Sequence, residues 1–466
     1  MKKSILLAAA FVALIATSCR KIEMDGGTNV IQQPTTPGVQ TITLKGRIAK
    51  DTVLREGNNY ILSGIVYIVN NAKITIQPGV TVKADYTGAN VAALVITRGA
   101  QIIADGTQEK PIVFTSNSPT PRSGDWGGIV ICGRASINST FTGVGGGAGT
   151  LQVEGGIDNS FGDGIAGGGA TPNDDDNSGI LRYVRIEYAG YAYQPDKEIN
   201  SLTMAAVGRG TVIDFVQVTY GKDDAFEWFG GTVNCKHLIA YKTQDDDFDA
   251  DNGYSGKVQF GIVLRDSTIA DISRSEAFEC DNDPSGSINR PQTTAVFSNI
   301  TVVGPRATLA NRGNSLYLGA AHLRRNTQTC IYNSVMAGYP VGLLIDASTT
   351  EANATNADLQ FRNNVLSAMT DTLATVNGST FDITSFFNTS GWGNTKVNGV
   401  ADLYIHSFSL TNPDFTPYNA SPLMSGADFT NSNLTSGFEV VTYKGAFGST
   451  DWTNSWTNFD PQNTVY

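Results

Sequence analysis

The chain has 466 residues, with 32 lysines and arginines against 43 aspartates and glutamates, and a formal net charge of −11. So acidic a chain is a poor partner for nucleic acid and for anionic membrane surfaces, whereas metal cations suit it. Its 5 cysteines are too few for a disulfide framework. Its length exceeds one ordinary hydrophobic core, a limit that repeat architectures escape because each unit packs only on its neighbours.

Residues 1–18 have the pattern of a secretion signal. Two lysines precede an apolar run over 5–15, which is too short to cross a bilayer as a helix, and small residues come directly before Cys19. That arrangement resembles the lipobox of bacterial lipoproteins, which implies cleavage before Cys19 and its acylation with lipid such as palmitate. The family usually has Leu where this chain has Ala16, and an ordinary secretory signal is the alternative.

Residues 19–40 contain Gly, Pro, Thr and Gln without hydrophobic periodicity. They are predicted to form a flexible tether between the lipidated Cys19 and a folded body. No later apolar stretch approaches membrane length, so we expect no transmembrane helix.

The next part of the chain consists of short β-branched phrases separated by turn residues, which predict the first coils of a β-solenoid. These phrases are Ala72–Ile76, Val80–Val82, Ala93–Ile96, Ile102–Ala104 and Ile112–Phe114. Residues 142–179 are rich in Gly and Asp, and we expect a long loop there, outside the solenoid wall.

A repeated segment decides the fold class. Asp223–Gly231 aligns with Asp245–Gly253, which is 22 residues later, and a third copy, Ser275–Asp283, follows after a further 30. A period near 22 made of strands and turns matches one turn of a right-handed parallel β-helix, and amphipathic helices are missing. By the same spacing, Met204 should lie one coil before Phe226.

We therefore expect an all-β protein with a β-helix over residues 41–345. Residues 346–466 should hold the last coils and a C-terminal cap, since an open β-helix end exposes unpaired strand edges. Trp392, Trp452 and Trp456 lie in this tail.

Several phrases support a family resemblance that runs from about Thr41 to the C-terminus. They are Gly79–Lys83, Trp126–Ile129, Gly179–Arg185, Asp223–Gly231 and Tyr443–Gly448. The chain resembles exported right-handed parallel β-helix lipoproteins of Bacteroidetes-type bacteria. The resemblance implies a lipid anchor in the outer membrane at the cell surface, with the periplasmic face as the alternative. It implies no catalytic residues.

Strand alternation places one set of acidic side chains outside the helix. If the phenylalanines of the three repeats point inward, the residues after them form an outward row, with a second row beside it and Asp247 one position before. The candidate metal ligands are Glu227, Asp247, Asp249, Asp251, Glu279 and Asp281.

Two interpretations of these carboxylates remain open. At a coil spacing of about 4.8 Å, neighbouring charges repel by about 3.5 kcal/mol at an effective dielectric of 20. Calcium relieves such repulsion, because it takes six to eight oxygens in loose geometry. The alternative is a solvated acidic face. Asp174–Asp176, in the Gly-rich loop, is a weaker second candidate.

Two classes of function fit these features. The first is a non-catalytic surface module for a glycan, a nutrient or an outer-membrane receptor protein, with calcium as a possible stabiliser. The candidates for stacking on sugar rings are Tyr188, Tyr191, Tyr193 and Tyr254. The alternative is a polysaccharide lyase or glycoside hydrolase, with Arg265 or Arg274 as a candidate base in a lyase. The sequence favours the module.

Overall fold

The structure is a computed structural model that describes residues 38–193, 197–307 and 314–466. The predicted signal, Cys19 and most of the predicted tether lie outside these residues. In the part of the chain that is described, no helix has the length and apolar character needed to cross a membrane.

The elements are almost all short strands. In the first half they are β1 Thr41–Ile48, β2 Thr52–Leu54, β3 Asn59–Ile68, β4 Lys73–Ile76, β5 Thr81–Ala84, β6 Ala93–Ile96, β7 Gln101–Asp105, β8 Ile112–Ser116, β9 Ile129–Cys132, β10 Thr140–Phe141, β11 Gly147–Ala148, β12 Leu151–Gln152, β13 Ile165–Ala166, β14 Gly179–Glu187, β15 Leu202–Ala205, β16 Val212–Thr219, β17 Phe226–Phe229 and β18 Cys235–Tyr241.

The second half adds two short helices. Its elements are β19 Phe248–Asp251, β20 Lys257–Leu264, β21 Phe278–Cys280, β22 Val296–Val303, β23 Gly319–Leu323, β24 Cys330–Tyr332, β25 Val335–Ala337, β26 Val341–Ile345, α1 Ser348–Thr355, β27 Phe361–Arg362, β28 Val365–Ser367, β29 Asp371–Thr375, α2 Ile383–Phe387, β30 Thr395–Val397, β31 Ile405–Ser407 and β32 Asp414–Pro417.

Apart from the antiparallel pairs β10–β11, β12–β13 and β31–β32, these strands stack in parallel register on three faces, which confirms the right-handed parallel β-helix. The first face runs through β2, β4 and β7, then through the first halves of β14, β16, β18, β20 and β22, to β24 and β27. The second starts with the first halves of β1 and β3 and passes through β5 and β8. It continues through the second halves of β14, β16, β18, β20 and β22, and ends with β25, β28 and β30. The third runs from the second halves of β1 and β3 through β6, β9, β15, β17, β19, β21, β23, β26 and β29.

The interior of the third face contains the predicted aromatic ladder. Phe226 stacks on Phe248 with ring centroids 5.8 Å apart, and Phe248 lies 5.4 Å from Phe278. The predicted partner of Phe226 one coil earlier was wrong by two residues. Leu202 pairs with Phe226, because this coil has 24 residues, and Met204 pairs with Trp228 instead.

The C-terminal region divides into an end cap and a strap. Trp392 and the phenylalanines of α2 close the end of the core, where Phe387 lies 6.1 Å from Phe361. Trp452 and Trp456 do not cap the helix as expected. They run back along its side and pack edge-on against Phe215, which stands outward where β16 bends.

Candidate functional site

The predicted acidic row lies on the outside of the third face. Glu227 pairs in register with Asp249, and Asp249 pairs with Glu279, so their side chains stack coil above coil. Asp251 is two residues beyond Asp249 on the same strand side, and the backbone N–H of Asp281 donates to the carbonyl of Ala250 in that strand. The sequence therefore predicted the rows in correct register.

The row is not the solvated face that the alternative interpretation required. Glu227 is 5% exposed, Asp251 is 8% exposed and Asp281 is 3% exposed. Asp249 and Glu279 are partly buried. Taking several carboxylates out of water is costly unless each gains a counter-charge or a hydrogen-bond donor.

Five further acidic residues, which sequence reasoning did not select, stand in the turns before these strands. They are Asp223, Asp224, Asp245, Asp246 and Glu276. They occupy two adjacent positions of the repeat, and the second position is acidic in all three copies, which is the signal that could have found them. The Asp246 N–H donates to Asp224 at 2.8 Å, and the Glu276 N–H donates to Asp246 at 2.5 Å.

Together these side chains form three groups in which the ligand atoms lie within 4.8 Å of one another. One group is Asp223, Asp224 and Asp245; the second is Asp224, Glu227 and Asp249; the third is Glu276, Glu279 and His322. The first two groups share Asp224, so they are one continuous cluster of five carboxylates.

The third group and its neighbour Asp281 already have counter-charges, and we call Glu276, Glu279 and Asp281 the paired half. His322 Nδ1 lies 2.8 Å from Glu276, and its hydrogen bonds to Asp346 and Glu276 raise the imidazole pKa to about 9 against the opposing effect of burial. Arg324 contacts both Glu279 and Asp281, at 2.8 Å from the latter.

Asp247 does not join the row, although it was a predicted ligand. Its carboxylate accepts from Arg265 Nε at 2.7 Å and from the Thr243 hydroxyl at 2.6 Å, and both side chains of the ion pair are fully buried. Arg265 also donates to the carbonyl of Thr243. It is therefore a structural cation that substrate cannot reach, and the lyase base predicted at this position is excluded.

Five of the remaining carboxylates, those of the first two ligand groups, form what we call the open half: Asp223, Asp224, Glu227, Asp245 and Asp249. The other two, Asp246 and the predicted ligand Asp251, belong to none of the three groups and accept the backbone N–H groups of Glu276 and Asn252. Among the described residues, none of the five has an ion-pair partner. Burial raises the pKa of Asp224, Glu227 and Asp249 well above the usual range, and the neighbouring carboxylates raise it further. Burial likewise raises the pKa of Asp245, to about 6, against the hydrogen bond from Ser273.

Buried polar atoms without partners surround this open half. Thr203, which is fully buried and in register with Glu227, has a hydroxyl without a hydrogen-bond partner in the described structure. Oδ1 of Asp249 and Oδ1 of Asp245 are also buried and lack a hydrogen-bond partner in the described structure. Unsatisfied buried oxygens are uncommon in folded proteins. Their convergence on one patch gives a donor set of hard oxygens, the chemistry that calcium prefers.

The weaker acidic candidate in the Gly-rich loop has structural partners. Asp176 accepts the Arg134 N–H and Asp174 accepts the Ser136 N–H, both at 2.9 Å, and Asp175 pairs with Arg209 at 2.8 Å. These carboxylates fasten the loop to the β-helix wall.

Other candidates from the sequence are part of the protein interior. Tyr188 is 1% exposed and Tyr254 is fully buried, so neither is available to stack on a sugar. The four described cysteines, Cys132, Cys235, Cys280 and Cys330, are free and buried.

The fold agrees with what comparison with known proteins finds. A search of curated proteins gives no match. The family model for the pectate-lyase-like β-helix domain matches residues 46–405, which covers all three faces from the second half of β1 to the first residue of β31. The chain therefore belongs to the pectate-lyase-like β-helix domain family.

Proposed function

We propose that this protein is a non-catalytic binding module of the outer membrane, anchored through lipidated Cys19, whose β-helix binds calcium in the open half of the acidic row. The observation that carries the proposal is the contrast within one continuous row: the paired half has its own cations, and the open half has none among the described residues.

The energetics favour a bound divalent ion. Like charges about 4.8 Å apart repel by about 3.5 kcal/mol at an effective dielectric of 20. In each of the two ligand groups of the open half, the ligand atoms lie within 4.8 Å of one another. A single calcium ion accepts six to eight oxygens and tolerates irregular geometry. With the row neutralised, the third face becomes a rigid extended platform for a glycan or a partner protein.

Calorimetric titration of the cation-free protein with calcium, and separately with magnesium, tests the site. We expect saturable calcium binding, tighter than magnesium, that falls at least about tenfold in Asp224→Asn, because Asp224 belongs to both ligand groups. Asp371→Asn is the matched control, since Asp371 is an exposed carboxylate on the same face. Absence of binding at millimolar calcium would refute the calcium site.

One observation favours the enzymatic alternative, a polysaccharide lyase or glycoside hydrolase. Glycosidases pair a carboxyl group held protonated with an ionised neighbour, and the pKa of Asp245, raised mainly by burial to about 6, suits such an acid. Incubation with polygalacturonate and with neutral polysaccharides tests this alternative. New reducing ends without ultraviolet absorption indicate hydrolysis, and new reducing ends together with an unsaturated ultraviolet-absorbing product indicate elimination. Either product, lost in Asp245→Asn, would replace the non-catalytic assignment.

A further inference from the structure

A cavity of about 590 Å³ lies between the Gly-rich loop and the corner at Arg290–Pro291. Arg98, from the turn after β6, and Ile137 form its floor on the solenoid side, and residues 145–150 of the loop form another wall. The fold thus brings together segments that are more than 190 residues apart in the chain.

The cavity is positively charged, in a chain whose net charge is −11. Both Arg98 and Arg290 line it, and neither has a carboxylate within ion-pair distance in the described ranges. Arg98 is held in place by one hydrogen bond from Nη1 to the carbonyl of Gly167, at 3.1 Å. Asp174 is the carboxylate next to the lining residue Ser136, and it already accepts the backbone N–H of Ser136. Two guanidinium groups in one concave site are complementary to a carboxylate.

The walls are aliphatic and backbone-rich. Ile137, Pro172 and Pro291 supply apolar surface, and none of the described lining residues is aromatic. Sugar rings are commonly held by aromatic faces, which this cavity lacks. Exposed aliphatic side chains flank it in sequence: Val144 is 90% exposed and Ile288 is 83% exposed. This composition fits a peptide better than a saccharide.

The loop also offers a strand edge. The two-residue strand β11, Gly147–Ala148, lines the cavity, is exposed, and pairs on one side with β10. A Cβ atom built on Gly147 would meet nothing within 4 Å, so the face of this strand is open there. Extended peptides bind to such edges through main-chain hydrogen bonds and place alternate side chains in adjoining pockets.

We infer that this cavity docks an extended acidic segment of a partner protein. A carboxylate of the segment lies between Arg98 and Arg290, its aliphatic neighbours pack on Ile137 and Pro291, and its backbone follows β11. The site shares no residue with the calcium site, so the two assignments stand or fall separately.

Fluorescence polarisation with a labelled eight-residue peptide of alternating aspartate and valine tests this inference, in EDTA so that calcium has no part in the result. We expect saturable binding that weakens at least about tenfold when asparagine replaces aspartate in the probe, and by a similar factor in the Arg98→Gln, Arg290→Gln double variant. Arg122→Gln, at an exposed arginine outside the cavity, should bind as the wild type does.

Three outcomes would overturn the inference. They are no binding of the aspartate peptide up to millimolar protein, equal binding by the double variant with an unchanged melting curve, and preferential displacement of the probe by oligogalacturonate. The last outcome would assign the cavity to an anionic saccharide instead of a peptide.

Discussion

Replacing Asp249 with asparagine should change stability with a sign that depends on calcium. Without the ion, Asp249 lies with Glu227 and Asp224 in a group whose ligand atoms are all within 4.8 Å of one another. The repulsion of one such pair is about 3.5 kcal/mol at an effective dielectric of 20. Burial and the neighbouring charges raise the pKa of Asp249, so its charged form is disfavoured in the folded protein. The neutral amide of Asp249→Asn should therefore stabilise the cation-free protein by about 1–2 kcal/mol.

With calcium present, the same substitution removes a charged ligand. A ligand at one hundred times its dissociation constant stabilises the folded state by about 2.7 kcal/mol, and a tenfold loss of affinity halves that gain. Wild type should therefore gain more stability than Asp249→Asn when calcium is added. The stability advantage that Asp249→Asn has in EDTA should become smaller or change sign.

Differential scanning fluorimetry and urea unfolding, each carried out in EDTA and in calcium, measure the stability change under both conditions. Asp371→Asn, at an exposed position of the same face, serves as control and should stay within about 0.5 kcal/mol of wild type in either condition. The reasoning is refuted if Asp249→Asn destabilises the protein equally with and without calcium, because the carboxylate would then be an ordinary structural group.

Three other perturbations probe the same framework. The open half should make the stability of the cation-free protein depend on pH, because burial raises the folded pKa of Asp245 to about 6 from an unfolded value of about 3.9. The stability that protonation of Asp245 contributes is complete below about pH 4 and is lost as the pH rises through about 6. The melting temperature of the EDTA-treated protein should therefore be higher at pH 5 than at pH 8, and calcium should raise it more at pH 8. Arg265→Met leaves the buried carboxylate of Asp247 without its cation and should cost about 3–5 kcal/mol in urea unfolding, whereas a change below 1 kcal/mol would mean that the pair is dispensable. Phe248→Ala opens the centre of the aromatic ladder and should cost about 3–5 kcal/mol, while Phe248→Leu should recover most of that loss and leave calcium binding unchanged.

The repeat alone was sufficient for the architecture and for the direction of the acidic side chains. Side chains alternate along a strand with a period of two, so an inward Phe248 puts Asp249 outward whatever the rest of the chain does. The 22-residue spacing between Phe226 and Phe248 then fixes their stacking. The register error at Met204 arose where a coil is two residues longer, since turns lengthen without disturbing strand pairing.

What only the tertiary structure decided is which carboxylates have partners. Arg324 and His322 reach Glu279 and Glu276 from the next coil, more than 40 residues later, after an insertion whose length carries no register information. Arg265 turned out to neutralise Asp247 inside the wall rather than face a substrate. Local alternation determines the face on which a side chain stands, whereas its partners depend on loops whose closure costs little extra free energy as they lengthen, and which are therefore free to vary.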